Sequence, residues 1–172
     1  MKPNLKFSNP KDVPADRLEP VERMIKIMQQ SGVKAFEECD QWESSLCALV
    51  LALDPRCRTY RFLEALPFNR DSYDESDVLN TLARLGYFSR KIPISITEMD
   101  NRLFPSLFIQ EDGTPIILIA QEGEDRIKVF KNHTLTYLYK NQLAGSHGRA
   151  IIFEHFDENR PATSKFIRAG TN

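Results

Sequence analysis

The sequence predicts an α+β fold, and three observations predict it. Apolar residues recur with helical spacing up to Gly86 and as alternating or short apolar runs after it. One helix in the first half is apolar nearly all round, which marks an element buried on every side. Asp112-Gly113 and Glu122-Gly123 then supply turn residues between apolar runs. The expected layout is a helical half, with a central buried helix, packed on an antiparallel sheet.

The first helix is expected from Leu18 to Ser31. Val21, Met24, Ile25 and Met28 fall at i, i+3, i+4 and i+7, with Pro20 in the first turn and Gly32 just past the end. The central helix lies in "CDQWESSLCALVLALDP". Trp42, Leu46, Leu49, Val50 and Leu53 form its main stripe, Cys47, Ala48, Leu51 and Ala52 widen it, and Asp54-Pro55 ends it. "TYRFLEALPF" predicts a short third helix stopped by Pro67. In "DSYDESDVLNTLARLGYF", Asp74 caps a helix with Asp77 three residues on. Val78, Leu82 and Leu85 form its buried face, and Gly86 fits a left-handed C-terminal position.

Beyond Gly86, "YFSRKIPI" reads as a strand and "SITEMDNRL" as a short helix or loop. "PSLFIQ", "PIILIAQ", "RIKVFK", "LTYLY" and "RAIIFEHF" read as five more strands, with one helical turn at "KNQLAG".

The chain has 172 residues, which suits one domain able to bury a core without disulfides or metal. The net charge of −1 leaves no basic field to hold nucleic acid. Cys39, Cys47 and Cys57 are spaced by eight and ten residues, which fits neither a zinc site nor a Cys-x-x-Cys pair, so they read as reduced thiols. No run of about 18 apolar residues is present to cross a membrane. Residues 1–17 are polar and proline-rich and read as a flexible leader, 18–157 as the domain, and 158–172 as a polar, extended tail.

The order and spacing of "LEALPF", "ARLGYFSRKI", "LFPSLFIQEDG" and "GRAIIFEHF", from about Trp42 to Phe156, resemble the papain-like cysteine peptidases. The resemblance is to the peptidase domains at the N-terminus of bacteriocin-exporting ABC transporters. More narrowly, it is to the degenerate versions in type I secretion transporters, the haemolysin and adhesin exporters. In the active family a Cys at the head of the central helix attacks and a His at the head of one strand is the base. An Asp at the end of the next strand orients the His, and an upstream Gln completes the oxyanion hole.

Matching "SSLCALVLAL" to the family's helix puts Ser44 at the nucleophile position, and a slip of one residue puts Glu43 there. Ser45 replaces the glycine that follows the family's Cys. Glu38 falls at the glutamine position, with Gln41 close by. Pro115 stands where the His belongs and Lys131 where the Asp belongs. Proline cannot accept a proton, lysine has the wrong charge to orient an imidazolium, and a serine without a base is a poor nucleophile.

The resemblance therefore implies a non-catalytic domain that needs no cofactor or metal. It implies a place on the cytoplasmic side of a bacterial inner membrane, with 158–172 leading to a transmembrane domain and any ATPase activity in a later domain. Its implied partners are an unfolded secreted protein with glycine-rich calcium-binding repeats and the other domains of the transporter, with the isolated domain a monomer. The alternatives are a working hydrolase that uses Ser44 or Cys47 with His133, and a free-standing adaptor.

Other residues have plainer readings. Ser44 and Cys47 read as packing residues of a buried helix, and His133 and His147 as solvated turn residues. His155 ends a strand, and the three histidines form no metal set. Asp74 and Asp77 read as helix caps, and Glu122, Glu124 and Asp125 as a solvated turn. Of Phe104, Phe108, Tyr137, Tyr139, Phe153 and Phe156, most are expected in the core. Any left on a groove would suit an extended peptide.

Overall fold

The structure, a computed structural model, describes residues 20–30, 33–67, 70–93, 95–144 and 147–156. The expected leader and tail lie outside the described residues. Five helices come first: α1 (Pro20–Gln30), α2 (Val33–Glu37), α3 (Gln41–Leu53), α4 (Thr59–Ala65) and α5 (Glu75–Arg84). Then follow β1 (Tyr87–Ile92), β2 (Ser106–Gln110), β3 (Pro115–Glu122), β4 (Arg126–Lys131), β5 (Thr134–Tyr139), α6 (Lys140–Ala144) and β6 (Gly148–His155). The "SITEMDNRL" stretch is two 3₁₀ turns, Ile96–Glu98 and Asn101–Leu103. The predicted α+β layout is the observed one, with α2 as an element the periodicity did not reveal.

The six strands form one antiparallel sheet in the order β1-β6-β2-β3-β4-β5. The last strand therefore lies between the first two, which leaves β1 and β5 as edges. Helices α1, α3, α4 and α5 cover one face, where Leu107, Ile109, Ile117, Phe130 and Ile151 meet Leu46, Leu49, Phe62 and Leu82. The opposite face is also buried. Phe108, Ile116, Leu118, Ile127 and Ile152 pack under Ile96, Met99 and Leu143, brought there by the 3₁₀ turns and α6. Lys140 Nζ ties these covering pieces together by donating to the Met99 carbonyl at 2.7 Å. Burial on both faces explains why β2 and β3 read as unbroken apolar runs, while edges β1 and β5 are mostly exposed.

The helix starts are set by capping. Asp74 accepts the Asp77 N–H while the Asp77 carboxylate accepts the Asp74 N–H, both at 3.0 Å. Gly86 follows α5 with φ +95°, the left-handed conformation expected of it. A second capping box opens α3, with Asp40 and Glu43 exchanging hydrogen bonds of 2.8 Å. Glu43 is fully buried and also accepts from Arg23 Nε of α1 at 3.1 Å. This contact turns α1 away from the expected face. Met24, Ile27 and Met28 are in the core, and Val21 and Ile25 are only half-buried.

Burial raises the Glu43 carboxyl above its ordinary range, although the Arg23 guanidinium and the Asp40 N–H oppose this. Arg23 keeps partial access to water and its pKa is also raised: desolvation lowers it, and the bond to Glu43 together with the charges of Glu43 and its neighbours more than offsets this.

Glu43→Ala removes half of the capping box and the α1–α3 ion pair with Arg23. Urea unfolding should show a loss of about 3 kcal/mol at neutral pH. Because the Glu43 carboxyl is raised in the folded state, its contribution is fully present below the unfolded value near 4.5 and declines as pH rises through the folded value. Glu43→Gln, which cannot ionise, should lose that decline in stability measured across the same pH range. A third substitution tests the sheet. A Cβ at Gly148 would overlap the Ile109 carbonyl oxygen and lie 2.6 Å from Phe108 Cζ. Gly148→Ala should therefore cost about 2 kcal/mol by the same measurement.

Candidate functional site

The capping box fixes where α3 begins, and so places its first turn against the sheet. Gln41 Nε2 donates to Asn132 Oδ1 at 3.4 Å, which brings the helix start to the β4–β5 turn. Lys131 and Thr134 are paired across that turn, so only Asn132 and His133 form it. Both have positive φ, +50° and +66°, the backbone of a type I′ hairpin turn. In the next ladder Ile117 pairs with Phe130, which carries Pro115, the first residue of β3, to the same end of the sheet. Gln41, Ser44, Pro115 and Lys131 are thereby gathered around one end of the α3–sheet junction.

Ser44 is 1% exposed and its hydroxyl donates to the Gln41 carbonyl at 3.2 Å within the helix. Ser45 is also buried. The neighbouring Glu43 is held in the capping box and by Arg23. Glu38, at the expected oxyanion position, accepts instead from Lys26 Nζ of α1 at 3.4 Å. Pro115 is buried and offers no proton acceptor on its ring. Lys131 is half-buried beside the Asp112 turn. The Asp112 carboxyl lies below its ordinary range because it accepts from Thr114, with Lys131 adding a smaller effect.

The three thiols are held as thiols. Desolvation pushes Cys47 well above its ordinary value, and its Sγ lies 3.9 Å from the Met24 carbonyl, facing α1. Cys39 is pushed up to about 12, first by burial and then by the Glu43 charge. Cys57 is raised by burial. A thiolate is the attacking species in cysteine catalysis, so each shift works against it.

His133 departs from its expected role as a solvated turn residue. It is half-buried, and its Nδ1 is sealed from water with no hydrogen-bond partner. It lines a cavity of about 540 Å³. Phe36 of α2 and Ala48, Leu51 and Ala52 of α3 form one wall of the cavity. Ile119, Lys128, Phe130, Thr134 and Leu135 form the other. Ile119 sits at a β-bulge, where the β3–β4 register shifts between Leu118 and Ala120. The cavity size and its apolar lining with a few polar groups are those of a ligand pocket.

Two of the predicted core aromatics extend this surface outward. Tyr137 is 46% exposed and Tyr139 50%, in line with Leu135 at 59%. Arg126 lies over the Tyr137 ring at 4.8 Å and pairs with Glu122 at 3.3 Å. Phe156 is exposed as well, edge-on to Phe88 across the other edge of the sheet, and Phe104 is half-buried. Only Phe108 and Phe153 of the six are in the core. The other histidines are exposed, with the His155 ring tilted against Tyr87 at a centroid distance of 4.7 Å. Among the described residues no group of His, Cys, Asp or Glu could hold a metal ion. No helix among them is long and apolar enough to cross a membrane.

No protein-family model and no curated protein matches the chain. Solved structures do. The N-terminal peptidase C39-like domain of the toxin secretion ATP-binding protein from Vibrio parahaemolyticus superposes with a TM-score of 0.50 at 11% identity. The match covers 65% of this chain and 97% of that one. A double-glycine-motif protease from an AMS/PCAT transporter, solved with its leader peptide, superposes with a TM-score of 0.50 at 14% identity. That match covers 76% of this chain and 90% of the other. The helical half, the buried α3 and the antiparallel sheet are thus those of the papain-like, peptidase C39-like fold.

Proposed function

We propose that the chain is a non-catalytic substrate-docking domain of a type I secretion ABC transporter. In this reading it holds an unfolded, repeat-rich export substrate on the cytoplasmic side of a bacterial inner membrane. Residues 18–157 are the docking domain and 1–17 a leader. Residues 158–172 lead toward a transmembrane domain, and ATP hydrolysis belongs to a later domain. Support for the transporter setting comes from the two similar structures, a toxin-secretion domain and a transporter protease bound to a leader peptide.

The observation that carries the non-catalytic part is the chemistry at the end of α3. Ser44, matched by sequence to the nucleophile position, is buried and already bonded; Pro115 is matched to the base position and Lys131 to the orienting position. A peptidase-like fold with these residues at the triad positions is suited to holding a chain and unsuited to cutting it.

A glycine-repeat segment from a secreted protein, titrated into the domain in chelator and followed by backbone NMR shifts, should bind. The shifts should vanish when calcium folds the repeats, because a folded repeat no longer offers extended backbone. Absence of binding in both conditions would remove the docking role. Thiol alkylation separates this reading from a working hydrolase. With every thiol pKa raised, the thiolate fraction near pH 7 is below that of a free cysteine. Iodoacetamide should therefore label Cys39, Cys47 and Cys57 more slowly than an unstructured cysteine peptide, with Cys47 slowest. Rapid labelling of Cys47, or loss of a hydrolytic activity in Ser44→Ala, would favour the hydrolase.

A further inference from the structure

The β5 edge and the cavity beside it form one continuous surface. In the β4–β5 ladder Phe130 faces Leu135, Lys128 faces Tyr137 and Arg126 faces Tyr139. Phe130 packs in the helix-side core, so this whole set points to the helix side of the sheet. There α3 stops short of the edge, and the cavity opens between them.

The backbone of β5 has a matching asymmetry. The two-residue turn makes Lys131 and Thr134 a hydrogen-bonded pair, and such pairs recur every second residue. The Lys140 N–H bond to the Asp125 carbonyl at 2.6 Å keeps that parity. The amides of Leu135, Tyr137 and Tyr139 therefore point away from β4. The Tyr139 amide is capped by Gln142 Oε1 at 2.8 Å. Among the described residues nothing bonds the outward amides of Leu135 and Tyr137. The edge is thus open for about one short strand and closed beyond it.

Charge narrows the occupant. Lys128 lines the cavity and has no ion-pair partner among the described residues, and Arg126 lies one cross-strand pair further along the same face. An added strand that fits would carry an apolar side chain for the cavity and an acid for the lysine, both on one face, hence two residues apart. The calcium-binding nonapeptide Gly-Gly-x-Gly-x-Asp-x-U-x, with U a large apolar residue, has that spacing when extended. When the repeat folds around calcium its aspartate becomes a metal ligand and its backbone is paired, so neither is available.

We propose that β5 is the docking edge, which takes an extended, calcium-free repeat as an added strand with its apolar residue in the Phe36–Leu51–Leu135 cavity and its aspartate at Lys128. This rests on the docking role proposed above.

The test uses a synthetic two-repeat peptide with leucine at U, titrated in chelator into the 172-residue chain and its variants. Wild type should bind, with the Leu135 and Tyr137 amides becoming protected from exchange. Lys128→Glu should weaken binding by at least about tenfold, and a peptide with lysine in place of each aspartate should restore it. Tyr137→Pro, which removes one outward donor at an edge position where proline is tolerated, should weaken it similarly with unchanged circular dichroism. Wild-type binding that neither variant alters would overturn the β5 assignment and leave the docking role standing. No binding by wild type would overturn both. A wild-type chain that sediments as a dimer, and becomes a monomer in Tyr137→Pro, would assign the edge to a second copy and overturn the proposal.

Discussion

The position of α3 depends on one buried carboxylate. Glu43 closes the capping box that starts the helix at Gln41 and also receives Arg23 from α1. A helix start shifted by one residue would rotate every side chain on α3 by about 100°. Leu46, Leu49 and Val50 would then leave the core, and Gln41 would leave Asn132. The apolar stripe alone is too broad to choose that rotation, because α3 is apolar around most of its circumference. A buried acid with a fixed set of donors supplies the choice. It does so at some cost in desolvation, seen in the raised Glu43 carboxyl.

That same interaction accounts for the character of the candidate site. A catalytic version of this fold needs a reactive group at the head of the central helix, reachable from the cleft and close to a base. Here the head of the helix is used for holding helices together. Asp40 and Glu43 cap it, Ser44 folds its hydroxyl back on the Gln41 carbonyl, and Gln41 bridges to the hairpin turn. The opening lies two turns further along, where Ala48, Leu51 and Ala52 leave room beneath the hairpin. Chemistry and access are thus at different places on one helix.

Much of the fold was legible in the sequence because it rests on local signals. Asp74 and Asp77 cap α5, Gly86 follows it with positive φ, and each strand run became a strand. What escaped depends on contacts distant in sequence. Five-residue α2 is too short to show a period. Ile27 replaces Ile25 in the core because Arg23 is drawn to Glu43, twenty residues away. The second buried face of the sheet could not be foreseen from "SITEMDNRL", which covers it through irregular turns. At the site, the reading of Pro115 and Lys131 as unable to serve a triad rested on residue types alone. They could not show that His133 lines an apolar cavity with its Nδ1 shielded from water, since that follows from the Asn132–His133 backbone and from the walls around it. Tyr137 and Tyr139 alternate as core residues would, and only the sheet order reveals that no helix lies over them.

An exposed edge strand with Leu135, Tyr137 and Tyr139 on one face is ordinarily an aggregation hazard, and proteins blunt such edges. This one is blunted only in part. Gln142 caps the Tyr139 amide, α6 ends the strand immediately, and Arg126 is laid over Tyr137. The remaining opening offers two amides, too few to template a stable intermolecular sheet and enough to bond briefly to an extended chain. Backbone pairing is indifferent to most side chains, so such an edge tolerates varied sequence, and the apolar cavity with Lys128 at its wall adds a modest preference. A docking domain for an unfolded substrate has to release what it captures. A short, partly capped edge provides weak, reversible pairing in a way that a long open edge or a deep closed pocket would not.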